Sequence, residues 1–257
     1  MKKLEVIGLS KSFKKGKSSV EALNNISFSI EPGESLGVVG ESGSGKSTLA
    51  KILTLFEVPD QGTILLDGKN ITKAAGRERK ELYRKIQMVF QNPVNSFNPH
   101  IKIGRSILEA AVNFGLPREE WDVKLSRVME MVGLKPDCKD RYPHEISGGE
   151  CQRAAIARAI LVNPELFICD EITSALDVSI QAQILELILK LRNKLGMSCL
   201  VISHDLAVVQ RLCEKVMVIY QGEVVEYGRT SQILFKPENE YTKLLLASVP
   251  SIPGEGV

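Results

Sequence analysis

Nine consecutive residues, Gly40-Glu41-Ser42-Gly43-Ser44-Gly45-Lys46-Ser47-Thr48, restrict what this chain can fold into more than any other stretch. They satisfy the phosphate-loop spacing G-x-x-x-x-G-K-[ST] at every fixed position. An apolar strand candidate, Ser35-Leu36-Gly37-Val38-Val39, leads in. A helix candidate leads out, from Ser47 to about Glu57, and Pro59 limits it because the residue before a proline avoids the helical region. Strand, glycine loop and helix in that order predict an α/β core with a nucleoside triphosphate at the loop. Glycines let the backbone curl so that N–H groups form an anion nest, and the helix N-terminus adds its positive dipole end. Lys46 is placed to reach the β- and γ-phosphates, and the Ser47 hydroxyl to ligate Mg²⁺.

The stretch around the loop reads as strand-rich. Leu4–Leu9 is a short apolar strand, followed by Phe13 in a polar, turn-forming neighbourhood and the basic turn Lys14-Lys15-Gly16-Lys17. Phe13 fits either a platform on which a base stacks or a core anchor. In Ala22–Ile30 the apolar side chains Ile26, Phe28 and Ile30 share one side, which is strand periodicity. Gln61-Gly62 opens a further strand that Asp67-Gly68 closes. After a charged surface helix over Gly76–Lys85, the strand Ile86–Phe90 delivers Gln91 at its carboxyl end, where ligands of open α/β sheets are met.

From Pro93 to about Asn163 strand patterns give way to helical ones: Ile103–Phe114, then Glu119–Val132 with Trp121, Leu125, Val128, Met129 and Val132 at helical spacing. This reads as an inserted helical lobe packed by those residues. Roughly 120 residues separate Lys46 from the next acidic strand end, where a simple βαβ unit takes about 30. That strand, Leu166-Phe167-Ile168-Cys169, is a continuous apolar run as in buried parallel sheets, and it ends in Asp170-Glu171. Asp170 is placed to hold Mg²⁺ and Glu171 to activate water as a general base. A covering helix over Gln181–Leu195 stops at Gly196. The next buried strand, Ser198–Ser203, delivers His204, which fits a structural histidine or one that bonds a γ-phosphate oxygen. Val216–Tyr220 and Glu223–Tyr227 form a hairpin around Gln221-Gly222, and the tail from Ser231 is amphipathic and then proline-rich.

A second anion-facing element precedes the alanine-rich helix Cys151–Val162. Ser147 and Glu150 have capping-box spacing, and Gly148 and Gly149 leave that helix end bare. One triphosphate does not need both anion sites from one lobe, so the second invites a partner.

Taken together in this order, these residues make the chain resemble an ATP-binding cassette (ABC) ATPase over nearly its whole length. Phe13 matches the family's adenine-stacking aromatic, and Gly40–Thr48 is similar to its Walker A loop. Gln91 corresponds to the Q-loop and Ser147-Gly148-Gly149-Glu150 to the signature. Cys169-Asp170-Glu171 resembles the Walker B end, Ser174-Ala175-Leu176-Asp177 the D-loop, and His204 the switch histidine. The resemblance implies a P-loop NTPase (RecA-like) α/β core with an N-terminal antiparallel β subdomain and an inserted α-helical subdomain. The implied divisions are core over 1–92, helical subdomain over 93–163, core again over 164–230 and tail over 231–257. It also implies that ATP is held by Phe13, Gly40, Ser42, Gly43, Ser44, Gly45, Lys46, Ser47 and Thr48. Ser147, Gly148, Gly149, Glu150 and Asp177 would contact the ATP of a second, head-to-tail cassette. Glu171, His204, Gln91 and Lys46 would be catalytic, with Mg²⁺ on Ser47, Gln91 and Asp170.

Two of these motifs depart from the family pattern. Glu150 stands where the signature usually has glutamine, and Ile146 where it has leucine; Ile172 stands where proline usually follows the Walker B glutamate. Glu150 keeps the capping box but puts a carboxylate near the partner's γ-phosphate, which predicts a weaker composite site or pH-sensitive closure. Neither departure removes a catalytic group, so the site is expected to be active.

A finer resemblance is to the ATPases of oligopeptide, dipeptide and nickel importers. It rests on Val39–Gly45, on Met88–Pro93 with Ser96-Phe97-Asn98-Pro99, and on the tail Tyr241–Pro250. It implies a different second cassette, two transmembrane permease subunits and an extracytoplasmic solute-binding protein, with this chain peripheral on the cytoplasmic face. Asn95–His100 is the expected groove for a permease coupling helix. Cys213 is the last cysteine, so the cysteine cluster that some members carry in the tail is not expected.

Composition excludes other classes. Lys+Arg 33 against Asp+Glu 31 gives no charge argument for a nucleic-acid partner, and no run of about 18 apolar residues is present. Met1-Lys2-Lys3-Leu4 lacks the apolar stretch of a signal peptide. The scattered cysteines Cys138, Cys151, Cys169, Cys199 and Cys213 have no metal-ligand spacing and read as reduced thiols. Among cassette classes, a soluble assembly ATPase, such as one for iron–sulphur assembly, and an exporter are disfavoured by the importer-like tail. A translation or DNA-repair ATPase is disfavoured by a single cassette with a short lobe.

Overall fold

The computed structural model describes residues 2–16, 18–90, 94–173 and 176–247. Gln91, Ser174, Ala175 and the tail residues Ser248, Val249 and Pro250 lie outside them. Two compact units form, one from Met1–Ala74 with Ser198–Val257 and the other from Ala75–Met197.

The first unit begins with a long hairpin, β1 (Leu4–Lys15) and β2 (Ser18–Ile30), that exceeds the short strands expected from apolar runs. Phe13 pairs across it with Val20, so it sits on a strand rather than in a turn. Polar residues extend the ladder because pairing satisfies the backbone whatever the side chains. A register shift between Val6 and Leu9 lets both face the core, while Ile7 between them is exposed. On β2, Ile26, Phe28 and Ile30 are buried as their alternation predicts. β3 (Ser35–Val39) is buried at every position. α1 (Lys46–Leu53) follows, then β4 (Gln61–Leu66) and β5 (Lys69–Asn70), which complete an antiparallel sheet in the order β2-β1-β4-β5. α1 ends earlier than Pro59 requires. Leu55 takes a left-handed φ of 60°, and the Phe56 and Glu57 N–H groups return to the Lys51 carbonyl.

The second unit opens with α2 (Gly76–Lys85) and β6 (Ile86–Val89). The helical lobe follows as α3 (Ile103–Asn113), α4 (Trp121–Val132) and α5 (Gly148–Ile160). Leu125, Val128, Met129 and Val132 are buried, whereas Trp121 is half-buried and donates its indole N–H to the Leu116 carbonyl. α5 begins three residues before the predicted helix, because Gly148 and Gly149 are its first residues and Ser147 its cap. β7 (Leu166–Asp170) pairs in parallel with β6, and α6 (Val178–Leu195) ends at Gly196 with φ 65°.

The chain then returns to the first unit through β8 (Ser198–Ile202), α7 (Leu206–Leu212), β9 (Lys215–Tyr220) and β10 (Glu223–Arg229). β3 lies between β8 and β9, parallel to both, and β10 is antiparallel to β9. α8 (Thr230–Phe235) and α9 (Glu240–Ala247) close it. All five cysteines are free and buried.

Candidate functional site

The phosphate loop takes the form its spacing demands. β3 ends at Val39, and the chain turns through Gly40 (φ 152°) to Gly45 (φ 109°), which caps α1. A Cβ on Gly40 would lie 2.1 Å from the Ile219 carbonyl oxygen, and one on Gly45 would lie 2.3 Å from that of Ala22. β9 and β2 therefore hold the loop from both sides, and only glycine fits. Ser42 and Gly43 are exposed at its rim and Ser44 is buried. The buried Lys46 amine donates to the carbonyls of Gly40 and Glu41, both at 2.7 Å, and to Ser44 Oγ at 3.3 Å. Ser47 is exposed and Thr48 half-buried in the first turn, which has no acidic residue. A cation within a curled backbone at a helix N-terminus, with no carboxylate in that turn, fits a polyanion.

The structure brings His204 toward this loop. Val38 of β3 pairs with Ile202 of β8, so both strands point their carboxyl ends the same way. The Ser203 N–H donates to the Val38 carbonyl at 3.1 Å. Ser203 Oγ accepts from Asp205 N, and the Asp205 carboxylate caps α7 by accepting from Ala207 N, both at 2.9 Å. His204 stands exposed between these two anchored residues. Phe13 is 38% exposed, which suits a stacking platform over a core anchor. The strand opposite it passes the loop two residues after Val20, at Ala22, where Gly45 is closest. Lys11 Nζ lies 5.3 Å from the Phe13 ring centroid and pairs with Glu57 at 2.9 Å.

The second unit presents the remaining candidates. Asp170 ends β7, and Glu171 directly after it has a left-handed φ of 48°. Such a conformation costs a non-glycine residue about 1–3 kcal/mol and clusters where a side chain must be aimed. Nothing in the sequence signals it. Ile172 is buried, so the residue in place of the usual proline serves the core. Gln91 lies outside the described residues. Asp177 is exposed and caps α6 through its carbonyl, which accepts from Gln181 N at 2.8 Å.

The capping box forms in full. Glu150 N donates to Ser147 Oγ at 3.2 Å, and the Glu150 carboxylate accepts from Ser147 N and Oγ, both at 2.9 Å. The Cys138 thiol donates to its other oxygen at 3.7 Å, a contact that nothing in the cysteine spacing signals. These donors, the Ser147 backbone foremost, hold the Glu150 carboxyl below its ordinary range despite partial burial, with Arg141 adding positive charge. Titration thus moves further from neutrality. A depressed carboxyl contributes stability that is present above the ordinary glutamate value and lost as pH falls through the lowered one. Glu150→Gln keeps the box but removes the charge at the α5 N-terminus. It is expected to cost about 0.3–1 kcal/mol at pH 7 and low ionic strength. Urea melts should show the gap to wild type shrinking as pH drops below the ordinary glutamate range and through the lowered one.

Among the described residues no group of three His, Cys, Asp or Glu gathers to hold a metal. Mg²⁺ needs no such cage, since it takes one or two protein oxygens beside phosphates and water. The hydroxyl of Ser47, the carboxylate of Asp170 and the amide oxygen of Gln91 are hard donors of that kind.

Residues 23–174 match the family model described as ABC transporter. The di/tripeptide transport ATP-binding protein DppF of Pseudomonas aeruginosa is 45% identical over 95% of this chain and 76% of its own length. The oligopeptide transport ATP-binding protein OppF of Haemophilus influenzae is 43% identical over 90% of this chain and 70% of its own. Among solved structures, CbiO1 of Clostridium perfringens, part of the ABC transporter complex CbiONQ, superposes with a TM-score of 0.82 at 28% identity, covering 91% of each chain. The dimeric ATP-binding cassette MJ0796 with ADP and phosphate gives a TM-score of 0.80 at 28% identity, over 88% of this chain and 98% of that one.

Proposed function

We propose that this chain, which belongs to the ABC transporter family, is the ATP-hydrolysing subunit of a peptide importer. The observation that carries ATP use is the Lys46 amine, buried inside a glycine loop that β2 and β9 leave no room to widen. Peptide is favoured over nickel because the relatives named above are di/tripeptide and oligopeptide transport proteins.

In this reading Lys46 and the loop N–H groups bind the β- and γ-phosphates, and the adenine stacks on Phe13. Glu171 accepts a proton from the attacking water as its oxygen bonds the γ-phosphorus and ADP leaves. His204 bonds a γ-phosphate oxygen and orients that water. Mg²⁺, with Ser47, Gln91 and Asp170 to hold it, supplies positive charge at the β- and γ-phosphates. The bare start of α5, with Ser147, Gly148, Gly149 and Glu150, and Asp177 at the start of α6 serve the ATP of a second cassette, which we take to be a different chain. ATP binding closes the pair and hydrolysis reopens it.

The permease contact is assigned to the lobe. Arg158 donates to the Ser96 carbonyl at 2.9 Å and covers the Phe97 ring at 4.6 Å, which fixes the segment before His100 on α5. Beside it opens a groove of about 910 Å³, lined by Arg105, Leu108, Val112 and Trp121 among others. No helix among the described residues is long and apolar enough to cross a membrane. By its likeness to peptide transport ATP-binding proteins, the chain would sit peripherally on the cytoplasmic face, against two permeases fed by a solute-binding protein.

Uptake of a labelled dipeptide into vesicles carrying both permeases, the binding protein and both cassettes is the test. Uptake is expected to require ATP and this chain with Glu171 intact. Equal uptake without this chain would reject the assignment.

A further inference from the structure

We infer that Tyr241, on the C-terminal helix α9, is a positioning residue of the phosphate loop that sets its affinity for ATP. The inference rests on the nucleotide reading of that loop. Tyr241 belongs to the tail stretch that the catalytic motifs leave unused, and it lies 200 positions from the residue it holds.

Its hydroxyl oxygen accepts a hydrogen bond from the Glu41 backbone N–H at 3.0 Å. The carbonyl of the same residue accepts from Lys46 Nζ at 2.7 Å and from Ser44 N at 3.2 Å. Both backbone polar groups of Glu41 are therefore engaged, and Glu41 is a fixed corner between β3 and the phosphate-facing turn. Tyr241 holds that corner from the tail, while Lys46 and Ser44 hold it from within the loop.

The tyrosine is itself held firmly. Its ring packs on Tyr220 with centroids 4.1 Å apart and planes tilted by 33°. Tyr220 ends β9, and the following turn supports the loop a second time, since Gly222 N donates to the Ser44 carbonyl at 3.1 Å. The start of α9 is pinned by Asn239 Oδ1, which accepts from Tyr241 N at 2.8 Å. The Glu226 carboxylate of β10 accepts from the N–H groups of Glu238 at 2.9 Å and Asn239 at 3.3 Å. Thr242, the next residue, is 1% exposed. Burial pushes the Tyr241 phenol above its ordinary range.

A loop held in its binding shape loses less entropy when it closes on phosphates. Loosening the Glu41 corner should weaken nucleotide binding and spare the chemical step, because Glu171 and His204 are carried on other strands. A structural role alone would lower stability or kcat without separating KM from kcat.

The test uses the full chain as wild type, Tyr241→Phe, Tyr241→Ala and, as a control on the same helix, Leu244→Ala at a 70% exposed position. ATP affinity is read by titration calorimetry with Mg²⁺, and KM and kcat by steady-state turnover with the partner cassette present. Tyr241→Phe keeps the ring and its stacking and loses only the acceptor. It is expected to raise Kd and KM about three- to tenfold with kcat within about twofold, the size of one net hydrogen bond. Tyr241→Ala should raise them further, and Leu244→Ala should match wild type. A folded Tyr241→Phe protein with wild-type Kd, or one whose kcat falls at unchanged KM, overturns the inference and leaves the nucleotide reading standing. A wild-type chain that binds no ATP overturns both.

Discussion

Glu171→Gln is expected to lower ATP turnover about 10²- to 10⁴-fold, the usual contribution of a positioned general base. The exchange keeps size and shape and removes only the ability to take a proton, so the left-handed backbone at φ 48° is asked to carry nothing bulkier. ATP affinity should stay within about twofold of wild type, since phosphate binding is assigned to Lys46 and the loop. Single-turnover chemistry and equilibrium binding on the same preparation check both halves. Turnover within about tenfold of wild type would remove Glu171 from the role of base.

Gly45→Ala is expected to weaken nucleotide binding strongly through a single added methyl group. Its Cβ would stand 2.3 Å from the Ala22 carbonyl oxygen and 2.9 Å from Leu23 Cδ2, at a φ of 109° that side chains rarely adopt. The first contact is backbone of β2, which cannot step aside as a flexible side chain can. Strain and overpacking together cost about 2–4 kcal/mol, released either by partial unfolding or by opening the loop away from Lys46. ATP affinity is therefore expected to fall by about 30-fold or more. Urea denaturation with calorimetric binding reads the two components, and an alanine variant equal to wild type in both would contradict the packing described.

Much of this was legible because the strongest signals are local. The phosphate loop, the strand Ser35–Val39 and the capping box at Ser147 and Glu150 each follow from the conformation that a few adjacent residues must take, and each appears where the spacing puts it. What stayed hidden depends on partners distant in sequence. The polar end of β1, with Phe13 on it, is strand because Val20 pairs across from it, which apolar periodicity does not register. α1 stops at Leu53 through a left-handed Leu55, although the sequence offers Pro59 as the obvious stop. The strained backbone at Glu171, the Cys138 thiol on Glu150 and the Tyr241 hydroxyl on Glu41 are long-range or conformational facts with no signature in composition.

In the proposed function this chain hydrolyses ATP as one half of a cassette pair. The most direct measurement is ATP turnover of the purified chain over a wide concentration range, alone and with the cassette that accompanies it, with Glu171→Gln as the control. Turnover per molecule is expected to be negligible when the chain is dilute and alone. It should rise when the second cassette is added and fall about 10²- to 10⁴-fold at this chain's site with Glu171→Gln. A steep rise with concentration in the chain alone would make the pair a homodimer. Turnover per molecule that is constant across the range and indifferent to the second cassette would contradict the claim, as would no turnover even with the permeases present.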